Sequence, residues 1–356
     1  MDGKKFVTES QTDLIKRLKI IKVRDKEYVI QLKKVPDEDL TALIEIARNA
    51  KILFLRIEPE DIPRLEAKHI FLNAEEFNSY FYCSTIAEAP IELLEKYGIQ
   101  RILVGSKNNE SARKMGIETY RNIYAQLKAI VADIPSSQRE ERKFRKVYER
   151  LANRMEYDYE AIRPGTTYAK ENENSCRNLE NAVLKNKAVC VGFAETLKQT
   201  LSLIGIESIL VYSVEDKDGG SHAYNLVKLH DQWYNADLTW DYKCIRKKLR
   251  PRFCLKSDKD FTSCEEKDKI FHIPEDITTP KCERSIEVFK DYKEEGQFIR
   301  KVLRGLIHKI KMTKKLGQAK ILPLPDERIA FRETIKTKVT PRNTTIQKES
   351  NEEKTR

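Results

Sequence analysis

The stretch that decides the fold reads A-V-C-V-G-F-A at 188–194, S-H-A-Y-N at 221–225 and N-A-D-L-T-W at 235–240. These three motifs contain Cys190, His222 and Asp237, in that order. A thiol, an imidazole and a carboxylate are the residue types of a cysteine nucleophile, its base and the group that orients the base. The order of these residues does not by itself indicate a catalytic site; that depends on the local structure predicted around each of them.

Cys190 is expected at the start of a helix. Leu197, Leu201 and Ile204 follow it at helical spacing, and the pattern stops at Gly205, which predicts a helix from about 190 to 204. In the first turn, unpaired amides and the positive end of the helix dipole favour a thiolate. For a cysteine considered alone, however, a small buried hydrophobic role is the commoner interpretation.

His222 and Asp237 are expected at the same end of a β-hairpin. The run H-A-Y-N-L-V-K-L alternates as a strand does, and the run Q-W-Y-N-A follows after only the two residues H-D. Pairing across that turn joins residues whose numbers sum to about 461, so position 222 falls opposite about 239. The two side chains can then lie close diagonally, with His222 exposed at the rim of the sheet.

The motifs C-V-G-F-A, H-A-Y-N and D-L-T-W, with intervals of 32 and 15 residues between Cys190, His222 and Asp237, resemble the transglutaminase-like superfamily of the papain-like cysteine-enzyme fold. The resemblance covers roughly residues 140–275. It implies that Cys190 is the nucleophile, His222 the general base and acid, and Asp237 the residue that orients the imidazole. It also implies substrate-binding or packing positions around this triad at Gly192, Tyr224 and Trp240.

The oxyanion hole of this family combines the backbone amide of the nucleophile with a side chain upstream. The sequence offers more than one candidate for that second donor, and the choice stays open among Tyr168, Asn172, Asn174 and Asn181. A missing donor would slow catalysis by about 100-fold or more.

The predicted fold class is α+β, with a papain/transglutaminase-like core whose nucleophile helix packs on an antiparallel sheet, preceded by a small α/β domain. Strands are expected at 51–57, 68–72 and 101–105, and a hairpin near Asp25. Ser137 and Glu140 have the spacing of a capping box that opens a helix with an apolar stripe. The predicted divisions are an accessory domain of unknown role at 1–135, the catalytic domain at 136–290, a basic amphipathic helical extension at 291–330 and a disordered tail at 331–356.

The charge of the chain is concentrated near its end. The formal net charge is +11, and residues 291–356 hold 17 Lys and Arg against 9 Asp and Glu. The segment 298–315 has the pattern of a basic amphipathic helix, which could contact an acidic partner or a membrane surface but more commonly docks on its own fold. Nucleic-acid binding by the tail is disfavoured because Phe298 and Phe331 are its only candidates for base stacking there.

The remaining sequence favours a cytoplasmic protein without a cofactor. No apolar run reaches the roughly 20 residues of a transmembrane helix, and the first residues lack the apolar core of a secretory signal. Seven cysteines spread over the chain suit reduced thiols. Cys244, Cys254 and Cys264 are spaced ten apart, unlike zinc ligands, so no metal site is predicted.

The resemblance therefore predicts cysteine-dependent acyl transfer on a peptide or side-chain amide of a protein or peptide substrate, through a thioester. Hydrolysis, as in a peptidase or amidase, is favoured over crosslinking by transglutamination. A non-catalytic scaffold or binding module is the alternative from a different class, and the presence of all three reactive residues argues against it.

Overall fold

The computed structural model describes residues 21–22, 28–49, 53–70, 78–105, 114–172, 175–215, 221–264, 271–272 and 278–294. The chain divides into two units, Met1–Glu295 and Gly296–Arg356. The second unit lies outside the described residues, and so do the predicted basic helix at 298–315 and the predicted disordered tail. The divisions expected at 135 and 290 stay predictions.

The first half of the chain builds a six-stranded sheet in the order β1-β2-β3-β4-β5-β6. Its strands are β1 (Ile21–Lys22), β2 (Tyr28–Gln31), β3 (Leu53–Ile57), β4 (Asn78–Cys83), β5 (Arg101–Val104) and β6 (Met115–Gly116). Strands β2 to β5 run parallel, and both edge strands are antiparallel to their neighbours. Parallel neighbours need crossover connections. The helices in these connections are α1 (Leu40–Asn49), α2 (Ile62–Ala67) and α3 (Ile91–Lys96).

The strands predicted at 51–57 and 101–105 are confirmed by β3 and β5, and the hairpin near Asp25 by the pairing of β1 with β2. The strand predicted at 68–72 is wrong for residues 68–70. The chain turns there at the end of α2, where His69 has a φ of 54° and the Ile70 amide donates to the Leu65 carbonyl at 2.9 Å. Residues 71–72 lie outside the described residues. The polar start of β4 hid that strand from the sequence pattern.

Two long helices follow, α4 (Ile117–Val131) and α5 (Glu140–Arg154). The apolar stripe predicted for α5 is confirmed, since all of its members are buried: Phe144, Val147, Tyr148, Leu151 and Met155. The predicted capping box is wrong. The helix begins at Glu140 after Arg139, without a side-chain cap, and Oε2 of Glu140 instead accepts a hydrogen bond from the His230 amide at 2.7 Å.

Four short elements and one central helix come next. They are β7 (Glu156–Tyr157), α6 (Thr167–Asn172), α7 (Leu179–Leu184), β8 (Lys187–Ala188) and α8 (Cys190–Ser202). Strands β7 and β8 pair with each other in parallel. The predicted start of a helix at Cys190 is confirmed, and after α8 the chain turns at Gly205 with a φ of 74°.

The second sheet is antiparallel and has the order β11-β10-β9-β12. Its elements and the helices around them are β9 (Ser208–Glu215), β10 (Ser221–Leu229), β11 (Gln232–Ala236), α9 (Leu238–Arg246), α10 (Asp258–Cys264) and β12 (Phe271–His272). Asn225 pairs with Ala236 and Leu229 with Gln232, which confirms the predicted hairpin register. His230 and Asp231 form its two-residue turn with φ values of 47° and 60°, the left-handed conformation that tight hairpins need.

Helix α8 lies at the centre of the described core. Every residue from Cys190 to Leu201 is buried. The helix contacts β9 and β10 of the second sheet, the helices α4, α5, α7 and α9, and the short 3-10 helix Ile86–Glu88 of the first half. Gln199 joins the two halves, because its Oε1 accepts from the Ile86 amide at 2.7 Å and its Nε2 donates to the Ser84 carbonyl at 3.1 Å. The described residues thus form an α+β fold, as predicted.

Gly192 allows α8 to approach β8. A Cβ at this position would lie 2.5 Å from the Cβ of Ala188, 3.2 Å from the Cys176 carbonyl oxygen and 3.3 Å from the Cβ of Ala182. None of these atoms is the flexible end of a long side chain, so none can move aside cheaply. Gly192 is therefore a packing residue next to the turn that carries Cys190.

Replacing Gly192 by alanine is expected to destabilise the fold. Alanine has a helix propensity about 1 kcal/mol better than that of glycine. Overpacking typically costs 1–3 kcal/mol, and a contact of 2.5 Å belongs at the upper end of that range, so a net loss of about 2 kcal/mol is expected. Urea unfolding measures the difference. Gly116→Ala is the control, because a Cβ there meets nothing within 4 Å. Equal stability of Gly192→Ala and the wild type would contradict this account of the packing.

Candidate active site

Cys190 occupies the first position of α8. Val189 precedes it as the N-cap in an extended conformation, and the Val189 amide donates to the Cys176 carbonyl at 3.0 Å. That bond anchors the entrance of the helix. The Cys190 side chain is buried and packs with Val191, Ala194 and Ala223.

His222 and Asp237 meet at the open end of the hairpin, as the register predicts. His222 is on β10, and its Nε2 lies 2.5 Å from Oδ2 of Asp237. Asp237 is completely buried and caps α9, since its Oδ1 accepts a hydrogen bond from the Trp240 amide at 3.1 Å. Both oxygens of the carboxylate are thus engaged, and one of them fixes the orientation of the imidazole.

Cys190 lies on the other side of the imidazole and hydrogen-bonds with it. Because Nε2 faces Asp237, the nitrogen available to the thiol is Nδ1. The structure therefore brings the three residues predicted from the motifs into one line, Cys190–His222–Asp237, called the row below.

Charge in this row favours an ionised thiol. Burial by itself raises the pKa of Cys190, but the hydrogen bond and charge of His222, together with a hydrogen bond from the Ala223 backbone, outweigh it and lower the pKa below its usual value. Burial also acts to lower the pKa of His222, but the Asp237 charge and hydrogen bond and the contact with Cys190 raise it to about 10. The two shifts favour a thiolate beside an imidazolium at neutral pH.

The expected exposure of His222 is wrong. Its side chain is only 8% exposed, because the Trp240 ring stacks on the imidazole at 4.7 Å with an interplanar angle of 12°. Strand β10 is also an inner strand, paired on one side with β9 and on the other with β11. Tyr224 lies farther away, with its ring 6.4 Å from the imidazole. Trp240 is therefore the principal packing contact of His222.

Asn225, the last residue of the H-A-Y-N motif, connects β10 to α8. Its Nδ2 donates to the Ala194 carbonyl at 3.0 Å and to Oγ of Ser208 at 3.2 Å. The strand that carries His222 is thereby tied to the helix that carries Cys190. Sequence reasoning quoted Asn225 as part of a motif without giving it a role. Its position within the run A-Y-N-L-V, between residues that are otherwise apolar or aromatic, was the available signal.

Asp241 is a second buried carboxylate that sequence reasoning missed. Its Oδ1 accepts hydrogen bonds from the Arg252 and Phe253 amides at 2.8 and 3.0 Å, and its Oδ2 accepts from the Tyr148 hydroxyl at 2.9 Å. The Phe253 ring that is held this way packs edge-on against Trp240 at 4.5 Å. Asp241 therefore supports the ring that covers the imidazole.

The second oxyanion donor stays a prediction. Asn174 and the side chains of Tyr168 and Asn172 lie outside the described residues. Asn181 is on α7, where its backbone amide donates to Oδ1 of Asn178.

Among the residues that the structure describes, no three His, Cys, Asp or Glu side chains are grouped in a way that could hold a metal ion. Of the described cysteines, none forms a disulfide bond: Cys83, Cys176, Cys190, Cys244, Cys254 and Cys282. The Cys264 side chain lies outside the described set. Within the same set, each helix is too short or too polar to cross a bilayer.

Residues 128–238 match the family model of the transglutaminase-like superfamily, which confirms the resemblance predicted from the motifs. The crystal structure of a TGase is 24% identical over 35% of this chain and 32% of that chain, with a TM-score of 0.29. A structure from Cytophaga hutchinsonii, assigned provisionally as a cysteine protease, is 13% identical over 33% of this chain and 37% of that chain, with a TM-score of 0.26. The chain thus spans about a third of the length of these solved structures. No curated protein matches it.

Replacing Asp241 by asparagine is expected to remove part of the pH dependence of stability. Burial raises the pKa of Asp241 from 3.8 to about 7, so the folded protein binds this proton more tightly than the unfolded chain does. Stability is therefore lost as pH rises from about 4 to 7, on the order of 4 kcal/mol at about 1.4 kcal/mol per pKa unit. Urea unfolding at several pH values should show a shallower decline for Asp241→Asn.

The control for this measurement is Asp260→Asn. Hydrogen bonds from Ser285 and Ser257 lower the pKa of that exposed carboxylate, so Asp260 contributes stability that is lost as pH falls. The Asp260→Asn variant should therefore not make the decline of stability with rising pH shallower. Parallel stability curves for the wild type and Asp241→Asn would contradict the prediction.

Replacing His222 by alanine is expected to slow alkylation of Cys190 by iodoacetamide at pH 7 by roughly ten-fold or more. An ordinary thiol is about 3% ionised at that pH, so losing the ion pair removes up to about 30-fold in thiolate, partly offset by the weaker nucleophilicity of a low-pKa thiolate. The pH at which labelling is half-maximal should also rise. Mass mapping of the Cys190 peptide measures both quantities.

His230→Asn is the matched control, since this exposed histidine sits in the hairpin turn and pairs with Glu141. It should label as the wild type does. An unchanged rate in His222→Ala would show that the imidazole does not activate the thiol.

Proposed function

We propose that this chain, whose residues 128–238 match the transglutaminase-like superfamily, is a cysteine-dependent acyl-transfer enzyme that acts on peptide or side-chain amides. The observation that supports this best is the buried row in which His222 hydrogen-bonds with Asp237 on one side and with Cys190 on the other. In this proposal Cys190 is the nucleophile, His222 the general acid and base, and Asp237 the orienting residue.

The first half-reaction follows from the charges in the row. The Cys190 thiolate attacks the amide carbonyl, and a tetrahedral oxyanion forms. When the carbon–nitrogen bond breaks, the His222 imidazolium gives its proton to the leaving amine, and a thioester remains on Cys190. The start of α8 suits this step, because unpaired backbone amides at a helix N-terminus stabilise negative charge.

The second half-reaction uses His222 as a base. The neutral imidazole takes a proton from a water molecule, the resulting hydroxide attacks the thioester, and the carboxylic acid leaves as the Cys190 thiolate and the imidazolium are restored. Asp237 holds Nε2 throughout, so Nδ1 stays directed at the thiol. Stacking by Trp240 keeps the ring in the same plane.

Hydrolysis is the proposed outcome, with water as the acceptor. A lysine amine in place of water would turn the same thioester into a crosslink, so the two reactions share every step up to the acceptor. A scaffold role has less support, because burying an imidazole and a carboxylate in mutual contact gives no evident benefit to binding by other surfaces.

Digestion of a mixed peptide library in ¹⁸O-labelled water tests the proposal. New carboxyl groups that carry ¹⁸O are expected with the wild type, and the yield should fall by about 100-fold or more in Cys190→Ala, His222→Ala and Asp237→Asn. Cys244→Ala is the control and should keep full activity, because Cys244 lies on α9 outside the row.

A fluorescent primary amine in the same mixture distinguishes the acceptors. If the amine is incorporated and no carboxyl group carries ¹⁸O, the reaction is crosslinking and the proposal of hydrolysis is wrong. If neither product forms and Cys190 is labelled no faster than Cys244, the scaffold role is the interpretation that remains.

A further inference from the structure

A cavity of about 310 Å³ lies beside the entrance of the nucleophile helix. Its lining residues come from the segment between α5 and α7: Ala161, Ile162, Arg163, Pro164, Ala169, Lys170, Cys176 and Arg177. Cys176 places the cavity relative to Cys190, because the Cys176 carbonyl accepts the hydrogen bond from Val189, the residue directly before the nucleophile. Cys176 also packs with Val189 and Ala161 in one apolar cluster.

The lining is positively charged. Arg163, Lys170 and Arg177 contribute three cations, and no carboxylate belongs to the lining. Arg163 pairs with Glu160 at 3.4 Å, but both side chains are more than half exposed, so this pair is weak and a ligand can compete with it. Within the part of the chain that the structure describes, neither Lys170 nor Arg177 forms a salt bridge.

The charge of Arg177 reaches the surroundings of Cys190. Burial raises the pKa of Tyr212, the charges of Glu195 and Cys190 raise it further, and Arg177 acts against them. Tyr157 likewise is buried and lies within the influence of both Cys190 and Arg177. The charges of Arg177 and Cys190 therefore both act on these two tyrosines, in opposite directions.

One edge of the cavity is apolar and exposed. Ile162 lines it and is 48% exposed, and Tyr159 in the same loop is 55% exposed. Large apolar side chains at a concave surface beside charged groups are typical of a binding site, in which apolar contact supplies affinity and charge fixes orientation.

We propose that this cavity binds a carboxylate of the peptide substrate, from an acidic side chain or from a C-terminus, beside the bond that Cys190 attacks. The inference rests on the proposed function and adds the substrate class to it. Arg177 and Lys170, which form no salt bridge with a described carboxylate, suit this ligand, because arginine binds carboxylates through two parallel hydrogen bonds and lysine adds a point charge. The exposed Ile162 then contacts the apolar part of the neighbouring substrate residue.

Protection of Cys190 from iodoacetamide by short peptides tests the inference. Four acetylated pentapeptides are compared: one with a central glutamate and an amidated end, one with glutamine and an amidated end, one with lysine and an amidated end, and one with glutamine and a free C-terminal carboxylate. The measured quantity is the peptide concentration that halves the labelling rate of Cys190, normalised for each variant to its own rate without peptide.

One of the two carboxylate-bearing peptides is expected to protect at a concentration about ten-fold lower than the amidated glutamine peptide, and the lysine peptide should protect least. Which carboxylate protects better identifies its source. The preference should shrink several-fold in Arg177→Gln and in Lys170→Gln, and at high salt. Lys170 is exposed, so its variant stays informative if Arg177→Gln folds poorly. Arg142→Gln, which removes an exposed charge from α5, should keep the wild-type preference.

Equal protection by all four peptides, protection by none, or a carboxylate preference that survives in the Arg177→Gln, Lys170→Gln double variant would overturn the proposed carboxylate site. Failure of the proposed function has a different signature, because labelling of Cys190 without peptide would then be no faster than labelling of Cys244. Fast labelling without a charge preference would overturn the substrate class alone.

Discussion

The complete burial of helix α8 is the constraint on which the rest of the described fold depends. Polar residues of this helix such as Glu195, Gln199 and Thr200 are buried together with its apolar ones, because the second sheet, four helices and the 3-10 helix Ile86–Glu88 surround it. Its first residue is Cys190, so the packing that buries the helix also fixes where the thiol lies. Gly192 sets the distance to β8, and Asn225 sets the distance to β10.

Burial also explains why the three reactive residues need one another. An isolated charge in an apolar interior costs several kcal/mol, and a hydrogen-bonded partner of opposite charge offsets much of that cost. Asp237 is completely buried and His222 nearly so, and their pairing makes a charged imidazole acceptable beside Cys190. The same contacts that stabilise the fold thus create the conditions for a reactive thiolate.

Residues around Cys190, His222 and Asp237 hold these three side chains in place. Trp240 stacks on the imidazole, Phe253 packs on Trp240, and Asp241 holds the backbone at Phe253. On the opposite side, the Cys176 carbonyl anchors Val189 and joins the row to the basic cavity. The proposed nucleophile and the proposed substrate-binding cavity therefore both lie at the entrance of α8.

The sequence by itself determined the parts that depend on local periodicity: the start of a helix at Cys190, the hairpin with its register, and the meeting of His222 with Asp237. These follow because helices and tight hairpins are fixed by neighbours along the chain. Only the tertiary structure decided the burial of His222, the bond from Asn225 to Ala194 and the role of Asp241, since each depends on residues distant in sequence. The basic cavity belongs to the same class, because its charges and the thiol come together only when Ala161 and Cys176 pack against Val189 at the entrance of α8.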